Sequence, residues 1–428
     1  MIWLYRLLFP LALAVMSPYY LWRMARRGGY GDGFWHRFGL PPRLAPRAAG
    51  ARRVWLQAVS VGEVLAVGPI LRALSAEGIE VVLTTTTSTG YRVARERHRA
   101  DVLCIAYFPV DWWPFSARAW SALSPDLAVV TEGERWPEHM RQAAQRGVPV
   151  VCINARISDR SYRRLMRLPA AASFVLRGMT RILAGSQQDA ERFVALGFER
   201  SRVAVTGNIK LDVEIAPLGE AARASLRGEL GLPADRLVLL GSSTWPGEEE
   251  ALVGALLRAR SQGTACSLLL VPRHAERRGD VARLLRASGL AFHLRSRGPA
   301  PAPVDVAVAD TTGELRALTQ LADVVFVGKS LPPHREGQTP VEAAALGKPI
   351  LMGPGTGNFR AIASDLLGRG AARRVADAAD LAAQAAVLLA DAPLRAALSA
   401  AATQWQRDNG GGVRRTLEAL RAELPKAH

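Results

Sequence analysis

The chain has 428 residues, of which 49% are hydrophobic, 22% charged and only 7% aromatic, enough material for about two to three domains of roughly 150 residues with real cores, which excludes a disordered or fibrous protein. Three cysteines, Cys104, Cys152 and Cys266, stand far apart without pairing or metal-ligand spacing, which argues against a disulfide framework or zinc site and for a reducing compartment. Fifty-five Lys and Arg against 38 Asp and Glu give a net charge of +17, so the partners are expected to be acidic: a membrane face, a phosphorylated or carboxylated substrate, or nucleic acid.

The first 24 residues, MIWLYRLLFPLALAVMSPYYLWRM, are mostly apolar, and residues 7–22 carry no charge. Sixteen uncharged residues fall short of the roughly 20 that span a bilayer, unless Arg6 snorkels. Trp3, Tyr5, Tyr19, Tyr20 and Trp22 sit near the two ends like interfacial aromatics, and Arg23, Arg26 and Arg27 follow at once. A membrane anchor with the rest of the chain in the cytoplasm is expected. A cleaved signal peptide is the competing reading, but the small-x-small site Ala12-Leu13-Ala14 falls inside the apolar run.

After a Gly-rich basic stretch over 28–50, strand-like runs alternate with helical patterns. VWLQAV, VVLTTTT, VLCIAYF, DLAVVTEG, VPVVCINA, TRILAGS and RVAVTGN are the expected strands of a first series. A polar helical stretch over 211–234 interrupts them, and RLVLLGSST, CSLLLVPRH, LAFHLRS, DVAVADT, DVVFVGKS, KPILMGP and GAARRV form a second. Such alternation predicts parallel sheets covered on both faces, in two similar α/β halves with ligand sites where the carboxyl ends of the strands face a cleft. The division expected is 1–28 as anchor and basic flank, 29–208 and 209–395 as two Rossmann-like domains, and 396–428 as closing helices.

The stretch SVGEVLAVGPILRAL begins where the first strand turns into a helix. Ser60 and Glu63 fit the capping box, in which serine and glutamate satisfy amides of the first helical turn. The same position, at the carboxyl end of a strand, also suits a carboxylate that faces substrate, and spacing alone does not separate the two readings. TEGERWPE sets Glu132 and Glu134 after the fourth strand, where they could equally be a solvated loop pair; TGNIKLD sets Lys210 after the seventh. In the second half, LLLVPRHAER gives Arg273 and His274, with Glu276 or Glu250 as potential partners of the arginine. ADTTGEL gives Gly313 and Glu314, and REGQTPVE gives a turn and a helix start with Pro at N1. VGKS is not a phosphate loop, because the glycine required five residues before Gly328 is Asp323, and neither GGYGDG nor GPGTGNF has dinucleotide-binding spacing. Carboxylates therefore gather at the strand ends of one half, and an arginine and helix starts suited to phosphate at those of the other.

The ordered set SVGEVLAVGPI, TTTTSTG, YFPVD, TEGERWPE, INARISDRS, VTGNIKLD, GEEE, LLLVPRH, GEL, PVEAAALGKPILMGP and NF resembles the 3-deoxy-D-manno-octulosonic acid (Kdo) transferases of lipopolysaccharide synthesis. The resemblance runs from the apolar N-terminal segment through Phe359. It implies the GT-B glycosyltransferase fold, with two Rossmann-like doubly wound domains facing a central cleft and an N-terminal hydrophobic anchor. It also implies transfer of Kdo from CMP-Kdo to a lipid A precursor (lipid IVA) at the cytoplasmic face of the inner membrane. On that resemblance Glu63 is the general base of an inverting direct displacement. Glu132 and Lys210 stabilise the transition state, with Glu132 also raising the proton affinity of Glu63. Pro272, Arg273, Thr312, Gly313, Glu314, Thr339, Pro340, Val341 and Glu342 contact CMP. No tightly bound cofactor, no metal and no nucleic acid are implied; the partners are CMP-Kdo, a phosphorylated lipid A precursor and an anionic membrane surface. The chain departs from the family pattern at Lys329, at Thr339 in place of Asn, and at Gly133 and Arg135 in place of Thr and Leu. A GT-B transferase using another nucleotide sugar on a lipid, and a basic nucleic-acid-binding protein, are the alternatives.

Overall fold

The computed structural model describes residues 1–28, 31–48, 50–133, 135–213 and 215–425. Two compact units divide them: one comprises Met1–Asp212 and Gly410–His428, the other Val213–Asn409.

The first unit is built on seven strands, β1 (Arg53–Gln57), β2 (Glu80–Thr85), β3 (Cys104–Tyr107), β4 (Leu127–Thr131), β5 (Val150–Ala155), β6 (Arg181–Ala184) and β7 (Val203–Val205). They pair in parallel in the order β3-β2-β1-β4-β5-β6-β7. A parallel sheet is stable only when both faces are covered, and the period-2 alternation of each strand does this: Val54 and Leu56 enter one cluster, with Ile70, Leu71 and Leu83, while Trp55 enters the other, with Val82, Phe108 and Trp120. The order reverses between β1 and β4, the kind of position at which doubly wound sheets open a crevice at their carboxyl edge.

The second unit repeats the plan with β8 (Leu237–Thr244), β9 (Cys266–Pro272), β10 (Phe292–Leu294), β11 (Val306–Val308), β12 (Val324–Val327), β13 (Ile350–Met352) and β14 (Ala372–Arg374). Their parallel order is β10-β11-β9-β8-β12-β13-β14, with the reversal between β8 and β12. Leu239, Leu252, Leu268, Leu270, Phe326 and Leu351 are among the side chains of its core. All fourteen strands coincide with the runs read from the sequence, β1 and β2 each starting one residue earlier.

The end of the chain departs from expectation. Residues 396–428 are not a closing unit of their own: helix Ala392–Asn409 lies in the second unit and helix Gly412–Glu423 in the first. The reason is an apolar stripe, with Leu417, Leu420 and Leu424 in the same cluster as Val54 and Leu83. Asp212 fixes the start of that helix by accepting from the amides of Gly411 (3.0 Å) and Val413 (2.7 Å), and Arg415 Nε donates to the carbonyl of Thr206 (2.9 Å). The units therefore change over after Asp212, four residues past the boundary read from the sequence, and again after Asn409.

Helix Ile2–Arg27 precedes the first unit and carries Pro10 and Pro18 inside it. By length and composition Ile2–Arg26 could cross a membrane, and side chains such as Leu7, Leu11 and Val15 are exposed.

Candidate active site

Glu63 is the third residue of the short helix Val61–Ala66, directly after β1. Its carboxylate is held from three sides. Ser60, the N-cap, donates its hydroxyl to Oε1 (2.8 Å) and accepts the Glu63 amide (3.4 Å). The amide of Val59, one residue before the cap, donates to Oε2 (2.9 Å), and the hydroxyl of Thr131, the last residue of β4, donates to the same oxygen. The capping box is thus real, with the glutamate reaching one residue further back than the usual pattern. Glu63 is 8% exposed. A buried carboxylate with these donors sits in one orientation, and Oε1 keeps acceptor capacity beyond the Ser60 bond.

Residue 132, next to Thr131, turns the chain away from β4 with φ 55°, and Asn154 at the end of β5 has φ 49°. Left-handed backbone is common for Asn and unusual for Glu, and such conformations persist where surrounding bonds over-determine them. Here the Glu132 amide donates to Ile153 O (2.9 Å), and the Cys152 thiol and Arg156 amide donate to Glu132 O (3.2 and 3.3 Å). The Glu132 carboxylate pairs with the Lys210 ammonium, and Asn154 Nδ2 lies 3.4 Å from its Oε1. Asn154 Oδ1 in turn accepts the Ile209 amide (3.2 Å), and Asn208 Oδ1 accepts that of Lys210 (3.0 Å), so one asparagine on each side shapes the loop that brings the lysine in.

The structure therefore brings Glu132 and Lys210 together, and Thr131 ties Glu63 to the same strand end. Glu132 faces a cation, so its charge is offset by Lys210 rather than left to act on Glu63. Glu134 lies outside the described residues. Thr131 and Asn154 were not singled out from the sequence; both sit inside motifs that carry the resemblance, but nothing in their spacing marks them.

In the second unit Pro272 ends β9 and the exposed Arg273 follows, its amide donating to Thr244 O (3.1 Å). Neither Glu276 nor Glu250 pairs with Arg273: Glu276 is 3.4 Å from His274, and the neighbouring Glu249 takes Arg277 in two bonds (2.7 and 3.1 Å). Thr312 and Gly313 are exposed in the turn after β11, with Gly313 at φ 88°. Glu314 is engaged by Arg295, whose Nε is 2.9 Å from both carboxylate oxygens, and by the Thr311 hydroxyl. The Arg295 bond is the main reason that its carboxyl is held below the ordinary value. Thr339 Oγ1 accepts the Val341 amide (3.2 Å), and Pro340 precedes helix Val341–Ala345. Glu342 Oε2 is buried without a hydrogen-bond partner in the structure, an acceptor that a ligand hydroxyl or amine could satisfy. These residues lie along the carboxyl edge of the sheet from β11 across to the crossover after β12.

Glu248, in the GEEE run, organises that edge. Its buried carboxylate accepts four amides: Trp245 (3.0 Å) and Lys329 (2.8 Å) at Oε2, Ser330 (2.8 Å) and Leu331 (3.1 Å) at Oε1. It thereby joins the loops after β8 and β12, the two strands of the reversal. Gly328 packs so closely there that a Cβ would meet Ser243 O at 2.4 Å, which explains the glycine of VGKS without any phosphate loop. Lys329 stands over the Trp245 ring with Nζ 4.2 Å from its centroid. Among the described residues no group of three or more His, Cys, Asp and Glu could hold a metal ion.

Two doubly wound units with these strand orders are the GT-B glycosyltransferase fold, and solved structures agree. A glycosyltransferase from Rickettsia africae ESF-5 superposes with a TM-score of 0.56 at 13% identity, covering 87% of this chain and 99% of that one. Anabaena Alr3699/HepE in complex with UDP-glucose gives 0.52 at 16%, covering 87% and 100%. Residues 32–213 match the family described as 3-Deoxy-D-manno-octulosonic-acid transferase (kdotransferase). The 3-deoxy-D-manno-octulosonic acid transferase of Bordetella pertussis is 35% identical over 96% of this chain and 98% of its own length, and that of Haemophilus influenzae 31% identical over 97% and 94%. The chain belongs to the 3-deoxy-D-manno-octulosonic acid transferase family and is a glycosyltransferase.

Proposed function

We propose that the protein transfers Kdo from CMP-Kdo to a phosphorylated lipid A precursor at the cytoplasmic face of the inner membrane, with Glu63 as general base. The observation that carries this reading is the Glu63 carboxylate, held by Ser60, Val59 and Thr131 at the strand reversal of the first unit. An acceptor sugar hydroxyl hydrogen-bonded to Oε1 gives up its proton as its oxygen attacks the anomeric carbon of the donor. The bond from that carbon to the CMP phosphate oxygen breaks with the electron pair going to CMP, and configuration inverts. Lys210, drawn to Glu132 in the free protein, offsets negative charge on the donor carboxylate or leaving phosphate.

The CMP side of the reading falls to the second unit. Arg273, free of any carboxylate partner among the described residues, suits the phosphate, and the unpartnered Oε2 of Glu342 suits a ribose hydroxyl or the base amine. Pro272, Thr312, Gly313, Glu314, Thr339, Pro340 and Val341 shape the same edge. The chemistry uses no resident cofactor. The apolar first helix and the +17 charge suit a phosphorylated lipid acceptor on an anionic leaflet.

The test is transfer from CMP-Kdo, generated in situ, to a bisphosphorylated lipid A precursor, comparing the natural protein with Glu63→Gln. Product from the first and at least a thousandfold less from a folded, CMP-binding variant is the expected result. No product from the natural protein would refute the donor or acceptor, and an active variant would return Glu63 to a purely capping role.

A further inference from the structure

The start of helix Ile2–Arg27 and the chain ten residues beyond its end are bound to one neighbourhood of the first unit. Near its start, the Tyr5 hydroxyl donates to Asp111 Oδ2 (2.6 Å). Arg6 donates to both oxygens of Glu138, Nε to Oε2 at 2.8 Å and Nη2 to Oε1 at 2.7 Å. These are not surface pairings: the Glu138 side chain is 0% exposed, and Asp111 is buried and also accepts the amides of Glu138 (3.2 Å) and His139 (2.8 Å). Ten residues beyond the helix the chain is bound again. The carbonyl of Arg37 accepts the amide of Val110 (2.9 Å), the residue before Asp111, and the Phe38 and Phe115 rings meet at 5.1 Å.

Twenty-six helical residues extend about 39 Å, longer than a bilayer's hydrocarbon core of about 30 Å. If the helix crossed, its two ends would lie on opposite sides, yet residues 5 and 6 and residues 37 and 38 all bind the segment 107–115 or its immediate partners. The nine residues 28–36, with four glycines, Asp32 and His36 in their sequence, would then have to recross, far short of the roughly 20 that a spanning helix needs, and unpaired extended backbone is not accommodated in hydrocarbon. A long apolar helix exposed along its length nevertheless requires a cover. Leu7, Leu11 and Val15 are 65%, 61% and 81% exposed, and Arg23 and Arg26 at the far end together with the net charge of +17 complement anionic headgroups.

We infer that helix Ile2–Arg27 lies in the plane of an anionic bilayer surface without crossing it, locked to its own unit by the Tyr5–Asp111 and Arg6–Glu138 bonds. The inference deepens the membrane-face part of the proposed function and rests on it. Residue 2 is then on the same side of the membrane as the rest of the chain. The lock also gives Asp111 of YFPVD and Glu138 of TEGERWPE a shared task that neither motif announces.

Sided labelling tests this. The three native cysteines are buried, so I2C and, as a marker of the second unit, S261C can each be probed with a membrane-impermeant maleimide. The expected result is a membrane-bound protein labelled at both positions in inside-out vesicles and at neither in spheroplasts. Labelling of I2C in spheroplasts, with S261C protected, would overturn the inference in favour of a span. Recovery in the soluble fraction, as monomer or as a dimer joined through the helix, would overturn the lipid cover. Purified full-length protein should float with phosphatidylglycerol-containing vesicles at least tenfold better than with pure phosphatidylcholine at low salt; equal flotation would overturn the anionic partner. Kdo transfer measured on the same inside-out vesicles keeps the two readings apart. Transfer with outside labelling refutes the topology alone, and absent transfer with inside-only labelling refutes the reaction alone.

Discussion

The hydroxyl of Thr131 donates to Oε2 of Glu63, joining the last residue of β4 to the helix that follows β1 across the strand reversal. This bond fixes the carboxylate from a direction the local capping box cannot supply, because Ser60 and Val59 approach only from the chain's own turn. Thr131 is a positioning residue. Thr131→Val should lower kcat about tenfold, the loss of one hydrogen bond to a charged group, with KM for CMP-Kdo nearly unchanged, whereas Thr131→Ser should restore most of the rate. Steady-state kinetics of the three proteins check it, and a change confined to KM would refute it.

Lys210 and Glu132 act as a pair, so their variants should not add. Lys210→Met and Glu132→Gln are each expected to reduce kcat by about a hundredfold, and the double variant should be little worse than the poorer single one, a coupling on the order of 1–3 kcal/mol. Simple multiplication of the two losses in the same transfer assay would show that the two side chains act independently.

Arg6→Met removes the cation facing a carboxylate that is fully buried, with the amide of Gln142 (2.8 Å) as the remaining side-chain donor to it. Breaking a buried pair from one side costs about 3–5 kcal/mol, whereas replacing both partners by apolar groups is often nearly neutral. Thermal unfolding of the first unit should therefore fall by roughly 10 °C in Arg6→Met and recover largely in the double variant with Glu138→Met. Equal melting of the single variant and the natural protein would mean that the pair contributes nothing to stability.

Glu314 provides a pH signature in the second unit. Its carboxyl is held below the ordinary value of 4.5, chiefly by the bond from Arg295. A depressed folded-state value means that the contribution is fully present above 4.5 and is lost as pH falls through that lowered value. Glu314→Gln should thus melt lower than the natural protein at pH 7, with the gap closing as the pH is taken below 4.5 and through the lowered value. A gap independent of pH would locate the effect in packing.

How much of this was legible from the sequence differs by level. Alternation of apolar strands with amphipathic helices was enough for all fourteen strands and both units, because covering two faces of a parallel sheet imposes that pattern. The strand-end positions of Glu63, Glu132 and Lys210 were visible in the same pattern, whereas the roles proposed for them rest on the resemblance. What stayed hidden was partnership over long separations. Arg6 with Glu138 spans 132 positions, Thr131 with Glu63 spans 68, and Glu248 with Ser330 spans 82, and no local spacing encodes such pairs. The GEEE run stood in the sequence only as one motif of the resemblance; the loops it meets reveal that Glu248 accepts four amides. Helix Gly412–Glu423 was read only as one of the closing helices, because an Ala/Leu/Arg-rich helix carries no address for the sheet on which its stripe packs.

That last helix has a consequence for the order in which the protein is made. The core of the first unit includes Leu417, Leu420 and Leu424, which leave the ribosome only after the whole second unit has been synthesised. At about 5–20 residues per second, those roughly 200 intervening residues delay completion of the first unit by about 10–40 s, during which the second can already fold. A chain ending at residue 409 and held on the ribosome by a linker long enough to clear the exit tunnel should therefore show a protease-resistant second unit beside a cleavable first one. The half of the protein that emerges first is finished last, with its exposed opening helix outside the ribosome throughout that wait.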